Sequence, residues 1–427
     1  MKLSAGAKWL VRVTVGLLLL PVVLYLILLA FNRHDEPAGP EAARFEAMYR
    51  QRAAIAERDN AYVYLLGWGH LRDNDAAHKT RDVWTYVTLK AACSAADRAC
   101  MTLLEQSPKE IARALDDSWM QGHYRKLIAH PQWQVPIPLD VNSTFASYVT
   151  ALDGQRLLLL SAWKHAQTGD AAAVQAELAM DHRFWRMTLG STEDLISKMI
   201  ASVALRRNME WGNMVLAQLP HAAQTQAMPE QWQTPLTLAE RSMLLPMLGE
   251  YKFMENSLTS SGFTSPADAL GMSALSWSLM SPLMQRQATL NQWARANAAL
   301  VKSIDVEIGQ FPAALKQMKA LEGAPKRAWS LGNLYNPIGK ALVTTSSVVW
   351  SSYSGRTGDV EGVRRAVVLA AALRSDKVDS AQAAQRIAAS ALRNPNDALP
   401  FGWHAASRSI VFNGLEQGAR GRYRLPL

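Results

Sequence analysis

The residues best placed by type and spacing to do chemistry are Cys93 and Cys100, the only two cysteines, set seven apart in the stretch AACSAADRACMTLL. Paired cysteines serve as metal ligands, as a redox couple or as a structural cross-link. A zinc site takes about four ligands, and no histidine stands within ten residues of either cysteine. Redox couples favour Cys-x-x-Cys spacing, which is absent. A disulfide between Cys93 and Cys100 remains, provided that the segment lies in an oxidising compartment. It demands a bend. Residues seven apart on one helix are separated by about 10.5 Å, beyond the roughly 7 Å that a bridge spans between Cα atoms. The spacing therefore predicts a bend within Ser94 to Arg98, with one helix ending near Cys93 and another starting after it under an Asp97 cap. Closing so short a loop adds about 2.5 kcal/mol.

Other combinations are weaker. Ser161-Ala-Trp-Lys164 fits Ser-x-x-Lys, which sets an amine one helical turn from a hydroxyl. It reads as mid-helix, where a serine bonds the preceding turn, and no Ser-x-Asn or Lys-Thr-Gly element accompanies it. Glu250 and Glu255, or Asp116 and Asp117, offer carboxylates for a glycosidase-like pair, and Asp181-His182 sets an acid beside an imidazole. Helical proteins supply such neighbours at random. Gly-x-Ser-x-Gly, His-Glu-x-x-His and the Walker loop are absent. The tryptophans (among them Trp84, Trp119, Trp163, Trp185, Trp211, Trp293 and Trp350) could stack on sugar rings, but their scatter through helical segments reads as core. The sequence assigns no catalytic, cofactor-binding or metal-ligating residue.

The elements that hold these residues start with an anchor. Val13 to Phe31 contains no charged residue, and nineteen helical residues span about 28 Å, close to the hydrocarbon thickness of a bilayer. Pro21 is tolerable there. Lys2, Lys8 and Arg12 precede the run without an acid, whereas Arg33 follows it mixed with Asp35, Glu36 and Glu41. That asymmetry puts the N-terminus in the cytoplasm and the bulk of the chain across the membrane. A cleaved signal peptide is the competing reading, but its apolar core should be shorter and end at a small-x-small site. The expected organisation is a cytoplasmic tail (1–12), a transmembrane anchor (13–31), a polar linker (32–40), a helical periplasmic domain (41–390) and an extended C-terminal flap (391–427). The formal charge of +9 is spread without a basic block, which argues against nucleic acid as a partner.

Beyond the linker the apolar spacing is helical. Ser107-Pro-Lys-Glu110 and Ser191-Thr-Glu-Asp194 read as helix starts. Gln155 to Leu189 reads as a helical hairpin turning at Thr168-Gly169-Asp170, with Gly169 ending one helix and Asp170 capping the next. Thr357-Gly358-Asp359 reads as a second such turn. The copies are too far apart for a regular tetratricopeptide array, so the fold class is mainly α, packed helical hairpins with a solenoid-like stack as one arrangement. Two charge-free stretches, Ala269 to Gln285 and Ala341 to Gly355, read most simply as buried helices. The first, rich in methionine, could instead lie on the membrane surface or grip a partner. Pro400 to Trp403 and Ser409 to Phe412 read as a β-hairpin, and Arg420, Arg422 and Arg424 as a solvated tail.

ERDNAYVYLLGW (Glu57 to Trp68), the cysteine loop with HYRKLIAHPQWQVPIP (His123 to Pro138), YNPIGKAL (Tyr335 to Leu342) and the ending LRNPNDALPFGWHAASRSIVFNG together resemble a group of membrane-anchored envelope proteins of Gram-negative bacteria. The resemblance touches most of the chain beyond the anchor and brings no activity, ligand or catalytic residue. Where such proteins often carry Asn-Pro-Tyr-x-Gly, this chain has Asn394-Pro395-Asn396-Asp397. What it implies is an inner-membrane protein facing the periplasm. The function expected is non-enzymatic: an interaction or assembly protein of the envelope, with the bilayer and a second envelope protein as partners. The alternatives are a periplasmic hydrolase of cell-wall or polysaccharide substrates and an immunity-type protein against a periplasmic toxin.

Overall fold

The computed structural model describes residues 5–74, 89–116, 118–139, 143–259, 273–323, 334–345, 349–416 and 418–427. Among them the chain is mainly helical, with a small three-stranded antiparallel sheet near its C-terminal end. The N-terminal apolar helix is α1 (Ala5–Phe31), which runs through Pro21 without ending. Its Val13–Phe31 part, with mean hydropathy 2.8, is long and apolar enough to cross a membrane. Next come α2 (Pro40–Arg50), α3 (Ala61–Asn74), α4 (Arg98–Gln106), α5 (Pro108–Leu115) and α6 (Ser118–Ala129). The middle of the domain is α7 (Tyr148–Gln167), α8 (Ala171–Ser191) and α9 (Leu195–Gln218). They are followed by α10 (His221–Ala227), α11 (Leu238–Arg241), α12 (Leu244–Thr259), α13 (Ala274–Met280) and α14 (Arg286–Ile304). The last helices are α15 (Phe311–Glu322), α16 (Pro337–Thr345), α17 (Trp350–Ser375) and α18 (Ser380–Ala389).

The core is centred on α9, which packs against α7, α8 and α17. Large aromatics seal these contacts: Trp163, Trp185, Trp232 and Trp350 are fully buried, each removing more apolar area from water than an aliphatic side chain. The α7–α8 hairpin turns where its sequence predicts. Gly169 adopts φ +77°, and Asp170 accepts the Ala173 amide at 3.0 Å. At the start of α9 the cap is Asp194, which accepts the Ser197 amide at 2.7 Å. Ser107 precedes Pro108 at the start of α5, but its side chain makes no capping bond.

The second expected turn does not exist. Thr357, Gly358 and Asp359 lie in the middle of α17. Gly358 is there for close approach rather than for a left-handed backbone: a Cβ on it would stand 2.8 Å from the Phe311 ring, and one on Gly362 would stand 2.7 Å from Phe412. The two glycines, one turn apart, open a seat on α17 for α15 and the C-terminal sheet.

That sheet is β1 (Gly402–His404), β2 (Ser409–Asn413) and β3 (Arg422–Pro426), in the order β1-β2-β3. The β1–β2 hairpin follows the two apolar runs. The third strand corrects the reading of the basic end as a solvated tail. Arg422 pairs with Asn413 and Arg424 with Val411, while Tyr423 and Leu425 point to the core and are buried. Period-two alternation was present in RYRLP, and its two charged members mark the solvent face of a strand.

Residues 32–40, read as a linker, are hydrogen-bonded to the helical domain along their length. Asn32 is buried; its side chain donates to the Leu334 carbonyl at 2.8 Å and accepts the Asn336 amide at 2.6 Å. The Asp35 carboxylate accepts the Gln287 and Ala288 amides at 2.6 and 2.9 Å, satisfying N–H groups that the first turn of α14 cannot pair internally. Gly39 donates to Asn291 at 2.7 Å. Within the apolar helix, the Tyr25 hydroxyl donates to the Leu279 carbonyl at 2.6 Å. The charge-free stretch containing α13 is therefore not a buried core helix: Leu275 is 74% exposed and Leu279 52%, beside the apolar helix. Residues 269–272 of that stretch and 346–348 of the other lie outside the described residues.

Candidate binding cleft at the cysteine corner

Cys93 and Cys100 stand at disulfide distance, with sulfurs 2.06 Å and Cα atoms 4.8 Å apart. The corner between them forms as the spacing predicts. Helical backbone ends at Ala92, Asp97 takes an extended conformation, and its carboxylate accepts the Cys100 amide at 3.0 Å to start α4. Ser94 to Asp97 form one wall of a cleft of about 700 Å³. The opposite wall is the C-terminal sheet, with Arg206 and Glu210 of α9 between them. Because strand side chains alternate, His404, Val411, Asn413, Arg422 and Arg424 share the outer face of the sheet, while Ile410, Phe412, Tyr423 and Leu425 face the helices.

A buried charge fixes the sheet at this position. Asp359 on α17 is fully enclosed. Its carboxylate accepts the Leu415 amide at 2.6 Å, the Glu416 amide at 3.1 Å, the Tyr423 hydroxyl at 3.0 Å and the Asn396 side chain at 3.2 Å. Burial nevertheless lifts it above the ordinary carboxylate value. Asn396, where the resemblance leads one to expect tyrosine, thus supplies one of the four donors. The Arg206 guanidinium donates to the Tyr423 hydroxyl at 2.6 Å and lies 3.7 Å from Glu416. Burial raises Glu210 as well, opposed by Arg206 and Arg207. The cleft offers charges of both signs, Asp97, Glu210 and Asp397 against Arg206, Arg422 and Arg424. Such a lining suits a polar partner with mixed charge more than an apolar ligand.

The other candidates do not meet in this cleft. The Ser161 hydroxyl donates to Glu177 at 3.0 Å, and Glu177 pairs with Arg125, while Lys164 is exposed; the Ser-x-x-Lys spacing makes no dyad. Asp181 is sealed in the core, accepting from Tyr124 and, at 2.9 Å each, from Gln155 and Asn208. Burial raises it to about 6 and pushes the adjacent, equally buried His182 down to about 3. Glu250 is raised to about 7 by burial and by Asp194, whereas Glu255 is engaged by Lys252. Asp116 closes α5; Asp117 and Trp84 lie outside the described residues. Trp163, Trp185, Trp211, Trp293 and Trp350 are buried, and Trp119 packs edge-on to Trp68, so none of these six forms an exposed sugar platform. Among the described residues no group of three His, Cys, Asp or Glu side chains is placed to hold a metal ion.

Sequence reasoning missed Asp359, Arg206 and Glu210. The only signal for the first was an acid beside glycine, which reads as a turn until a partner sheet is known. Comparison with protein-family models, with curated proteins and with solved structures gives no match to this chain.

Proposed function

We propose that this is a non-enzymatic interaction protein of the bacterial cell envelope, anchored in the inner membrane by α1 with its N-terminus in the cytoplasm. Its helical domain faces the periplasm and holds a polar protein partner in the cleft beside the cysteine corner. The observation that carries this reading is the seating of the domain on the end of the apolar helix. Tyr25 lies six residues before Phe31, about 9 Å along a helix, and it bonds the Leu279 carbonyl of the α13 segment. In a bilayer this places the exposed Leu275 and Leu279 beside the last turns of the span, at the headgroup–acyl boundary. Burying each there contributes about 1.5–3 kcal/mol. With Asn32, Asp35 and Gly39 tied to α14 and to residues 334–336, the domain is held at the membrane and its cleft keeps a set orientation. A disulfide-bonded corner fits an oxidising compartment, as do the basic residues ahead of the span.

The test is photocrosslinking in intact membranes from probes at His404 and Arg424 on the cleft face, against control probes at exposed Lys164 and Lys316. Discrete adducts from the cleft positions alone are expected. Adducts at no position, together with cleavage of an envelope polymer by the purified protein, would replace the reading with a hydrolase.

A further inference from the structure

The C-terminal sheet has two edges, and the fold treats them differently. The β1 edge packs against α18. On β3 the direction of each backbone group follows from the two ends of its ladder with β2. The Leu427 amide donates to the Arg408 carbonyl at 2.8 Å, and the Gly414 amide to the Gly421 carbonyl at 2.7 Å. In the antiparallel register between them, residues 421, 423, 425 and 427 turn their backbone groups to β2, so Arg422, Arg424 and Pro426 turn theirs to the free edge. Pro426 has its partner, its carbonyl accepting from the Asn213 side chain at 2.8 Å. The edge-directed N–H and C=O groups of Arg422 and Arg424 have none among the described residues.

An open strand edge is a template for another strand. Arg422 and Arg424 line the cleft of about 700 Å³, with Ser94 to Asp97 as the facing wall. Their guanidiniums are equally unused. Both residues are exposed, and the ion pairs of this region join Arg206 and Arg356 to Glu416 instead. The acids of the cleft are occupied: Asp97 accepts the Cys100 amide at 3.0 Å, Asp397 accepts the Leu399 amide at 2.9 Å, and Glu210 stands against Arg206 and Arg207. Two residues apart on one strand, Arg422 and Arg424 project from the same face with a spacing of about 6.8 Å. Cations on an edge discourage pairing with an apolar or basic strand and favour one that carries carboxylates at the same spacing.

We propose that the cleft takes an extended segment of its protein partner as a fourth strand beside β3, hydrogen-bonded to the free edge at Arg422 and Arg424 and setting carboxylates two residues apart against their guanidiniums. Backbone bonds supply the affinity of such a strand, and the alternate side chains supply its specificity. Pro426, which has no N–H and whose carbonyl is taken by Asn213, marks where the pairing ends. This strand is the form in which the protein partner proposed above enters the cleft, and it rests on that reading.

The test uses the full-length protein in detergent micelles and the fluorescein-labelled peptide Thr-Val-Glu-Val-Glu-Val-Thr-amide, whose glutamates repeat with the spacing of the two arginines. Fluorescence anisotropy should show saturable binding, weakened at least tenfold when lysine replaces both glutamates. N-methylation of one alternate set of amides, those of Glu or those of Val, should weaken binding at least tenfold. Methylation of the other set should change it less than threefold, because only one set faces β3. Arg424→Pro removes an edge N–H that β2 does not use and should weaken binding at least tenfold, whereas Arg424→Thr keeps that N–H, loses the charge and should weaken it about threefold. The methylated peptides keep the test decisive should Arg424→Pro fail to fold. Absence of saturable binding, equal binding of the lysine peptide, or equal effects of the two methylated peptides would overturn the added strand. In membranes, adducts from the His404 probe that persist equally in Arg424→Pro and Arg424→Thr would overturn it while leaving the protein-partner reading in place. Absence of cleft adducts would remove both.

Discussion

Asp359 and Arg374 are buried charges on one helix, and they are treated in opposite ways. The carboxylate of Asp359 receives four hydrogen bonds, two from the backbone leading into the C-terminal sheet. The guanidinium of Arg374 donates to two neutral amides, and its Nη2 is enclosed without a partner. A buried charge whose hydrogen bonds are all made by the chain belongs to the fold. One that the chain leaves incomplete is a cost the rest of the fold must carry.

The contrast can be broken first by mutation. Asp359→Ala leaves two backbone amides and the Tyr423 hydroxyl without their acceptor, and should lower stability by at least about 3 kcal/mol in urea unfolding. Arg374→Met removes an incompletely paired charge but leaves the buried Asn213 and Gln224 oxygens without their donor, and should cost about 1–2 kcal/mol. Equal losses for the two variants would remove the distinction. Next in size, changing Cys93 and Cys100 together to serine should cost about 2.5 kcal/mol. In the same experiment the unreduced, denatured parent should show no thiol reactive to a maleimide.

A smaller effect concerns another buried acid, Asp181, and its neighbour His182. Asp181 is raised from 3.8 to about 6, so its contribution to stability is full below pH 4 and is lost as pH rises through 6. His182 is lowered from 6.5 to about 3, so its contribution is full above pH 6.5 and is lost as pH falls towards 3. Between pH 4 and 6 the two slopes oppose and nearly cancel. The parent should lose stability across that window only through its other raised carboxyls, such as Glu250 at about 7, while His182→Gln should lose it more steeply. Urea midpoints at pH 4, 5 and 6 measure the difference.

Much of the local structure was legible in the residues. The seven-residue cysteine spacing required a corner, because a helix cannot bring such residues within bonding reach, and the corner is present with Asp97 as its cap. Thr168-Gly169-Asp170 announced a hairpin because both halves of its chemistry, a left-handed glycine and a capping acid, act within a few residues. The same three letters at 357–359 misled, because there the glycine serves contact with Phe311 and the acid serves a sheet some sixty residues later.

By itself the sequence determined the apolar helix, the helical class, the cysteine corner and the first hairpin of the C-terminal sheet. Each depends on composition, periodicity or spacing within a few turns of chain. Only the tertiary structure decided which charges are complete. Whether Asp359 is satisfied and Arg374 is not depends on donors and acceptors between 37 and 161 residues away. No local pattern encodes that account, since the cost of burying a charge is set by whatever the fold brings next to it.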